Sequence, residues 1–360
     1  MTRRILVAGA PAVLLAQAPS DEMRVAFIGV GSRGSALLAA MLKAKGARVV
    51  AVADLDEAHR ANAAQRITEA GQPAPALYSD FRKMLDEHKE IDAVVIATPV
   101  DTHKMIAVAT LEVGKHVYLE KPVALNPSEC AAVELAAKTA KGVLQLGFQL
   151  RHDPAHAASM AHLHSGALGK VIYLHSHRHT GDLPHTSDWY FDKKRSGDII
   201  VEQACHIIDL MVWAAGGPPA TAYGTGGINL LRDDPPGRSI LDNYSVLYEW
   251  TDGKRLNFSQ LYFDPPGFSG IKERVYAERG AVDLATGMVH YLDKSPAKKL
   301  DFVPGDSTYL SIEAFLDNAR GKKKPLNHIG SARQSTLVAI MGRTSIYEKR
   351  IVKWSEFAGA

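Results

Sequence analysis

The sequence predicts an α/β protein with a doubly wound parallel sheet in its N-terminal part and a second domain built on an antiparallel sheet. Three observations predict it. Short apolar runs alternate with helix-like stretches between residues 24 and 148, as strands and covering helices do in a parallel sheet. A glycine-rich turn follows the first of these runs. In the second half, strand-like segments flank Asp252-Gly253 and Arg279-Gly280, both hairpin signals.

The elements follow in order. Residues 25–30 form an apolar, partly β-branched run that reads as a buried strand. Residues 35–44 read as a helix, 49–53 as a second strand, and 56–70 and 79–88 as helices. Residues 92–98 (DAVVIAT) are a third strand, 103–113 a helix ended by Gly114, 116–119 a fourth strand, 128–141 a helix and 143–148 a further strand. Beyond them lie a strand at 170–180, an apolar helix from 199 stopped by Gly216-Gly217, the hairpins 244–262 and 274–284, a loop at 232–241 and a closing helix at 332–347. A length of 360 residues suits two domains. The expected division is a leader at 1–20, a nucleotide-binding domain at 21–148, a second α/β domain at 149–348 and a tail at 349–360.

Gly29, Gly31 and Gly34 stand at G-x-G-x-x-G spacing between the first strand and its helix. Gly29 permits a tight turn, Gly31 leaves the backbone open to a pyrophosphate, and Gly34 lets helix and strand pack closely. The helix N-terminus offers free N–H groups and partial positive charge to phosphates. Asp54 ends the second strand, 20 positions after Gly34. A carboxylate there accepts the adenosine ribose hydroxyls and repels a 2′-phosphate, which favours NAD over NADP. Ser32 and Arg33 are phosphate-contact candidates within the same loop. Thr98, Pro99, Glu120, Lys121 and Gln149 sit at predicted strand ends, where ligands of such sheets bind. Together with His103, all of these except Lys121 are candidate cofactor contacts.

Composition excludes several classes. The net charge of +3 gives no general attraction to nucleic acid or anionic membrane. No apolar run approaches the ~20 residues of a spanning helix. Two cysteines, Cys130 and Cys205, exclude a disulfide framework and read as packing residues. Residues 1–18 carry Arg3-Arg4, a weakly apolar stretch and Ala16-Gln17-Ala18, which together read as a twin-arginine export signal. The chain is then expected outside the cytoplasm, holding its nucleotide tightly; without that signal it is cytoplasmic.

Glu120-Lys121-Pro122 after the strand HVYL, within ATPVDTHKMIAVATLEVGKHVYLEKPVALN, resembles the EKP motif and central segment of the Gfo/Idh/MocA superfamily of oxidoreductases. The resemblance spans roughly residues 24–356. It implies a Rossmann domain followed by an α/β domain with an open, mainly antiparallel sheet that often makes oligomer contacts, hence a dimer or tetramer. It also implies hydride transfer between a nicotinamide and a sugar or polyol, with the EKP lysine near the reacting hydroxyl and a D-x-x-x-H pair on a helix.

Such an oxidation needs a base, an orienting charge and a fixed distance. Lys121 is the candidate for the first two; a partly desolvated lysine is expected to titrate below its solution value. Glu202 and His206 are spaced i, i+4 on the apolar helix, with Asp209 placed to support the histidine. Glu202 stands where the family carries aspartate. Lys121 and His206 are both open as proton acceptor. The histidines 175, 177 and 179 alternate on a strand face; no metal is expected there. Arg151, His179, Trp189 and Tyr190 join Lys121 and His206 as candidate substrate contacts. Three functions compete: an NAD-dependent sugar or polyol dehydrogenase, a glycoside hydrolase cycling a bound NAD, and a non-catalytic redox sensor. The Lys121, Glu202 and His206 set argues against the last.

Overall fold

A computed structural model describes residues 22–185 and 187–359; the export signal read in residues 1–18 lies outside the described residues. The front sheet is wholly parallel, with strands β1 (Met23–Ile28), β2 (Ala47–Ala53), β3 (Ala76–Tyr78), β4 (Ala93–Ile96), β5 (His116–Leu119) and β6 (Leu144–Leu146). Their order is β3-β2-β1-β4-β5-β6, so the winding reverses between β1 and β4 and opens a crevice at the carboxyl ends of those strands. The strands are apolar on both faces because both are covered. Val25 and Phe27 join one core with Leu37 and Met41, while Ala26 and Ile28 join the other with Val94 and Ile96.

The covering helices are α1 (Ser32–Lys43), α2 (Glu57–Glu69), α3 (Phe81–Glu87), α4 (His103–Glu112) and α5 (Pro127–Thr139). Side chains cap three of them. Asp56 accepts from the Ala58 and His59 N–H groups, Asp80 from that of Arg82, and Asn126 from that of Glu129. Such caps contribute about 1 kcal/mol each. Helix α1 has no side-chain cap at Gly31; its N–H groups face the crevice.

The second half begins with α6 (Pro154–His164), β7 (Val171–His179), α7 (Lys193–Ser196), α8 (Ile199–Glu202) and α9 (Cys205–Ala215). Strands β8 (Thr221–Gly227), β9 (Asn243–Glu249), β10 (Arg255–Leu261), β11 (Gly270–Ala277), β12 (Gly280–Asp283), β13 (Met288–Tyr291) and β14 (Lys298–Lys299) follow, then α10 (Ser307–Ala319), α11 (Ile329–Glu348) and β15 (Val352–Lys353). The nine-stranded sheet runs β14-β13-β12-β11-β7-β10-β9-β8-β15. Every pairing is antiparallel except β7 with β10. The expected hairpins are β9–β10, turning at Gly253 with φ +88°, and β11–β12.

One sheet face is packed: Leu174, Leu256, Phe258 and Val275 are buried, and α9 and α11 lie on that side of the molecule's core. The other face carries His175, His177 and His179 in a row, with Tyr223, Leu247 and Tyr276 exposed. Helix α10 returns to the front sheet. Ile312, Phe315 and Leu316 complete the core containing Val25 and Leu37, and Phe315 meets Tyr118 edge-on at 5.7 Å. Each such buried side chain contributes roughly 1.5–3 kcal/mol. Both cysteines are free and buried. Among the described residues, no helix is long and apolar enough to cross a membrane.

Candidate active site

The loop from β1 to α1 forms the floor of the crevice. Gly29 adopts φ +85°, and a Cβ there would meet the Ala97 carbonyl oxygen at 2.6 Å. A Cβ on Gly34 would stand 2.1 Å from the Gly29 carbonyl oxygen, so strand and helix touch through glycine alone. At Gly31 a Cβ would only touch His59, with Cε1 at 3.5 Å, so the loop is not closed off there by backbone. Asp54 Oδ2 accepts from the Val30 N–H at 2.8 Å and Oδ1 from that of Asp56 at 2.9 Å. The carboxylate is thereby tied to the glycine loop while still lining the crevice.

The cavity measures about 930 Å³. Gly29, Gly31, Ser32, Arg33, Asp54, Thr98, Pro99, Glu120, Lys121, Gln149, Trp189, Tyr190, Glu202 and His206 all line it, so most of the residues singled out by sequence meet on one wall or another. Leu55, His59, Asp80, Phe81, Arg82 and Met105 line one end; sequence reading had not named them. Arg33 does not point freely at a phosphate. Its Nε donates to Glu120 at 2.7 Å and its Nη1 to Thr308 at 3.1 Å. Gly147 makes room for that carboxylate, since a Cβ would lie 2.8 Å from Glu120 Cδ.

Lys121 and Glu202 form a nearly buried pair. Lys121 Nζ donates to Glu202 Oε1 and to the Glu202 carbonyl, both at 2.5 Å. The expected continuous helix from residue 199 is interrupted to allow this. The Gln203 N–H bonds the Ile199 carbonyl, the Ala204 N–H bonds the same oxygen, and the His206 N–H turns to Gln203 instead of Glu202. The break between α8 and α9 frees the Glu202 carbonyl for the lysine, as interruptions of the helical ladder at functional sites do. The lysine does not titrate low as expected. Burial favours the neutral amine, but the charges of Glu202 and Glu120 outweigh it and raise Lys121 above its ordinary value.

His206 behaves oppositely. Burial, then the charges of Lys121, Arg33 and Arg178, push it well below 6.5, so its imidazole is neutral. Its Nδ1 is buried without a hydrogen-bond partner, as is Gln149 Oε1. Phe148 lies edge-on to the ring at 6.2 Å. The clash-free side of Gly31, the absence of a side-chain cap on α1 and these unpartnered polar atoms fit a dinucleotide, which the glycine loop, Asp54 and the residues around Lys121 would hold.

Four expectations are corrected. Asp209 does not support His206; it takes a bidentate pair from Arg151 at 2.8 and 2.7 Å and a bond from Ser335 at 2.6 Å. Arg151 is for the same reason a buried structural cation, stacked over Trp213, and not a crevice residue. His103 is fully enclosed between the carbonyls of Pro122 and Thr98, at 2.8 and 3.0 Å; burial lowers its pKa. It clamps two strand ends and does not line the crevice. His179 points to the outer sheet face, bonded to Ser259 at 3.0 Å.

One residue earlier, Arg178 lines the crevice and donates to Gln203 Oε1 at 3.1 Å. A strand alternates faces, so the histidine series had selected the wrong one. Glu273, on neighbouring β11, also lines the crevice. It accepts His156 Nε2 at 2.6 Å, while Asp153 takes His156 Nδ1 at 2.8 Å. Nothing local in the sequence marks Glu273; its partner is 117 positions away.

Residues 23–148 match the model of an oxidoreductase family with an NAD-binding Rossmann fold, and residues 157–283 match the GFO/IDH/MocA C-terminal domain. A 203-residue stretch is 34% identical to inositol 2-dehydrogenase 2 of Saccharopolyspora erythraea, covering 56% of each chain. A 206-residue stretch is 29% identical to a glycosyl hydrolase family 109 protein of Shewanella baltica, covering 53% of this chain and 44% of that one. The chain thus spans about half the length of these two relatives. The fold is shared with the solved myo-inositol 2-dehydrogenase of Lactobacillus plantarum, at a TM-score of 0.77 and 20% identity over 92% of this chain and 99% of that one.

Proposed function

Because this chain belongs to the Gfo/Idh/MocA family of oxidoreductases, we propose that it moves hydride between NAD(H) and a secondary alcohol of a sugar or polyol. One observation carries the reading: a charged lysine, its carboxylate partner and a neutral, partnerless imidazole nitrogen share the crevice with the glycine cradle. When bound, the nicotinamide supplies the hydride acceptor. Neutral His206 takes the hydroxyl proton. Lys121, held as ammonium by Glu202, stabilises the alkoxide that forms; the two residues thereby divide the roles between them. Asp54 at the end of β2 supports NAD as the preferred dinucleotide. The exposed face of the second sheet, with Tyr223, Leu247 and Tyr276, supports association into a dimer or tetramer, and the leader of residues 1–18 supports export after folding.

A glycoside hydrolase is the second reading, favoured by the likeness to the Shewanella protein. Oxidation beside a C–H bond acidifies it, the aglycone leaves by elimination with that proton removed, water adds, and the hydride returns, so no NADH accumulates. The experiment separates the two. Purified protein with NAD is offered sugars, polyols and aryl glycosides while NADH absorbance and aglycone release are followed. NADH formation that Lys121→Ala lowers by roughly 10³-fold supports the dehydrogenase; aglycone release without net NADH supports the hydrolase. Undiminished turnover in Lys121→Ala refutes the lysine's role.

A further inference from the structure

The charges around the substrate end of the crevice are almost all matched. Arg33 faces Glu120, Lys121 faces Glu202, Arg195 faces Asp101 at 3.0 Å, and His156 faces Glu273. Arg178 is the exception: among the described residues no carboxylate lies within ion-pair distance of it, and its hydrogen bond is from Nε to the neutral Gln203. We propose that the substrate of this site is an anion, a sugar acid whose carboxylate is anchored by Arg178. This deepens the oxidoreductase reading above and rests on it.

The guanidinium is held for that task. Gln203 Oε1 accepts from Arg178 Nε, from Tyr262 Oη at 2.7 Å and from Gln260 Nε2 at 3.3 Å. Three donors on one oxygen fix the amide, and the amide fixes the plane of the arginine through its inner nitrogen. Tyr262 also hydrogen-bonds the guanidinium, but the terminal nitrogens meet no carboxylate and present the fork that matches one. No protein anion competes. Burial raises Tyr190 and Tyr262 well above the ordinary phenol value, so both remain neutral. Glu273 is occupied by His156. Gln203 directly follows Glu202, so the anchor and the Lys121 pair hang from the same break between α8 and α9.

The anchor also couples to the chemistry. The charge of Arg178 is among those that hold His206 neutral, after burial, Lys121 and Arg33. A bound carboxylate offsets that charge and makes the imidazole a stronger proton acceptor, so the anionic substrate improves the base that acts on it.

The test measures binding to the full chain loaded with NAD, by calorimetry, for D-galacturonate against D-galactose and D-glucuronate against D-glucose. Each pair differs at C6, so the comparison isolates the carboxylate. Charge-assisted bonds predict that the uronates bind roughly 10- to 100-fold tighter. Arg178→Gln should close that gap by weakening the uronate far more than the hexose, and Arg178→Lys should restore part of it. D-galactose 6-phosphate distinguishes the source of the anion: binding tighter than galacturonate, and lost in Arg178→Gln, keeps the anchor and assigns it to phosphate. Equal binding of acid and hexose, absence of uronate binding, or equal weakening of both in Arg178→Gln overturns the proposal. Melting temperature and NAD affinity of each variant report whether it has folded. Uronate binding through Arg178 without any reduction of NAD would instead refute the oxidoreductase reading and leave the anchor standing.

Discussion

His156 makes the stability of this protein depend on pH in the alkaline direction. Its ring is buried at 8% exposure between Asp153 and Glu273. Burial opposes the imidazolium, but the hydrogen bonds and charges of the two carboxylates outweigh it and raise the pKa to about 9. In an unfolded chain the group titrates near 6.5. Below about 6.5 both states carry the proton and the stabilisation is fully present. As pH rises toward 9 the unfolded state loses its proton first, and the advantage disappears. A displacement of roughly 2.5 pH units corresponds to about 3 kcal/mol at about 1.36 kcal/mol per unit. His156→Gln retains a donor for Glu273 but cannot carry the charge. Urea titrations of both proteins at pH 6 and pH 9.5 should show wild type losing about 3 kcal/mol relative to the variant over that interval. A difference between the two proteins that stays constant across the range would refute the argument and leave His156 as a neutral packing residue.

Two further outcomes follow from the site. Gly34→Ala places a methyl 2.1 Å from the Gly29 carbonyl oxygen, so the loop must move. It should cost about 1–3 kcal/mol of stability and weaken NAD binding by more than roughly 100-fold, as a change of about 2.7 kcal/mol would do. Fluorescence titration with NADH measures this, and wild-type affinity would contradict the close packing. The pH profile of NAD reduction should have no limb near 6.5. Burial and Lys121 depress His206, and Glu202 raises Lys121 against its own burial. The proton acceptor is therefore ready, and the lysine still charged, throughout the interval between the ordinary imidazole value of 6.5 and the ordinary lysine value of 10.5. A half-activity point near 6.5 would show an imidazole unlike the one described.

Five of the six front strands were legible because their determinants are local; β3, only Ala76–Tyr78 at the sheet edge, is too short to show a pattern and was missed. Strand runs such as 92–98, the three glycines and Asp54 each state their conformation within a few residues. Lys121, Glu202 and His206 could be named because motif and helical spacing marked them. The break at Gln203 could not, since the apolar pattern from Ile199 to Trp213 suits an unbroken helix. What interrupts it is the lysine, 81 positions earlier. Alternation along β7 gave the right period and the wrong face, because three histidines draw more chemical notice than the arginine between two of them. Arg151 and Asp209 are polar residues whose partners come from distant segments, and His103 is enclosed by carbonyls of the two neighbouring strand ends. A sequence shows such groups but not what satisfies them.

Helix α10, late in the sequence, binds back onto the front sheet. Synthesis delivers the glycine turn within the first tenth of the polypeptide, yet Phe315 and Ile312, which seal the layer beneath it, arrive some 280 residues later. Thr308, at the start of the same helix, grips Arg33 of that turn. The glycine turn and its helix therefore take their full packing only once residues 307–319 have been made and have folded back. A chain interrupted before this clasp leaves the apolar side of α1, with Leu37 and Met41, without the cover that Ile312 and Phe315 supply.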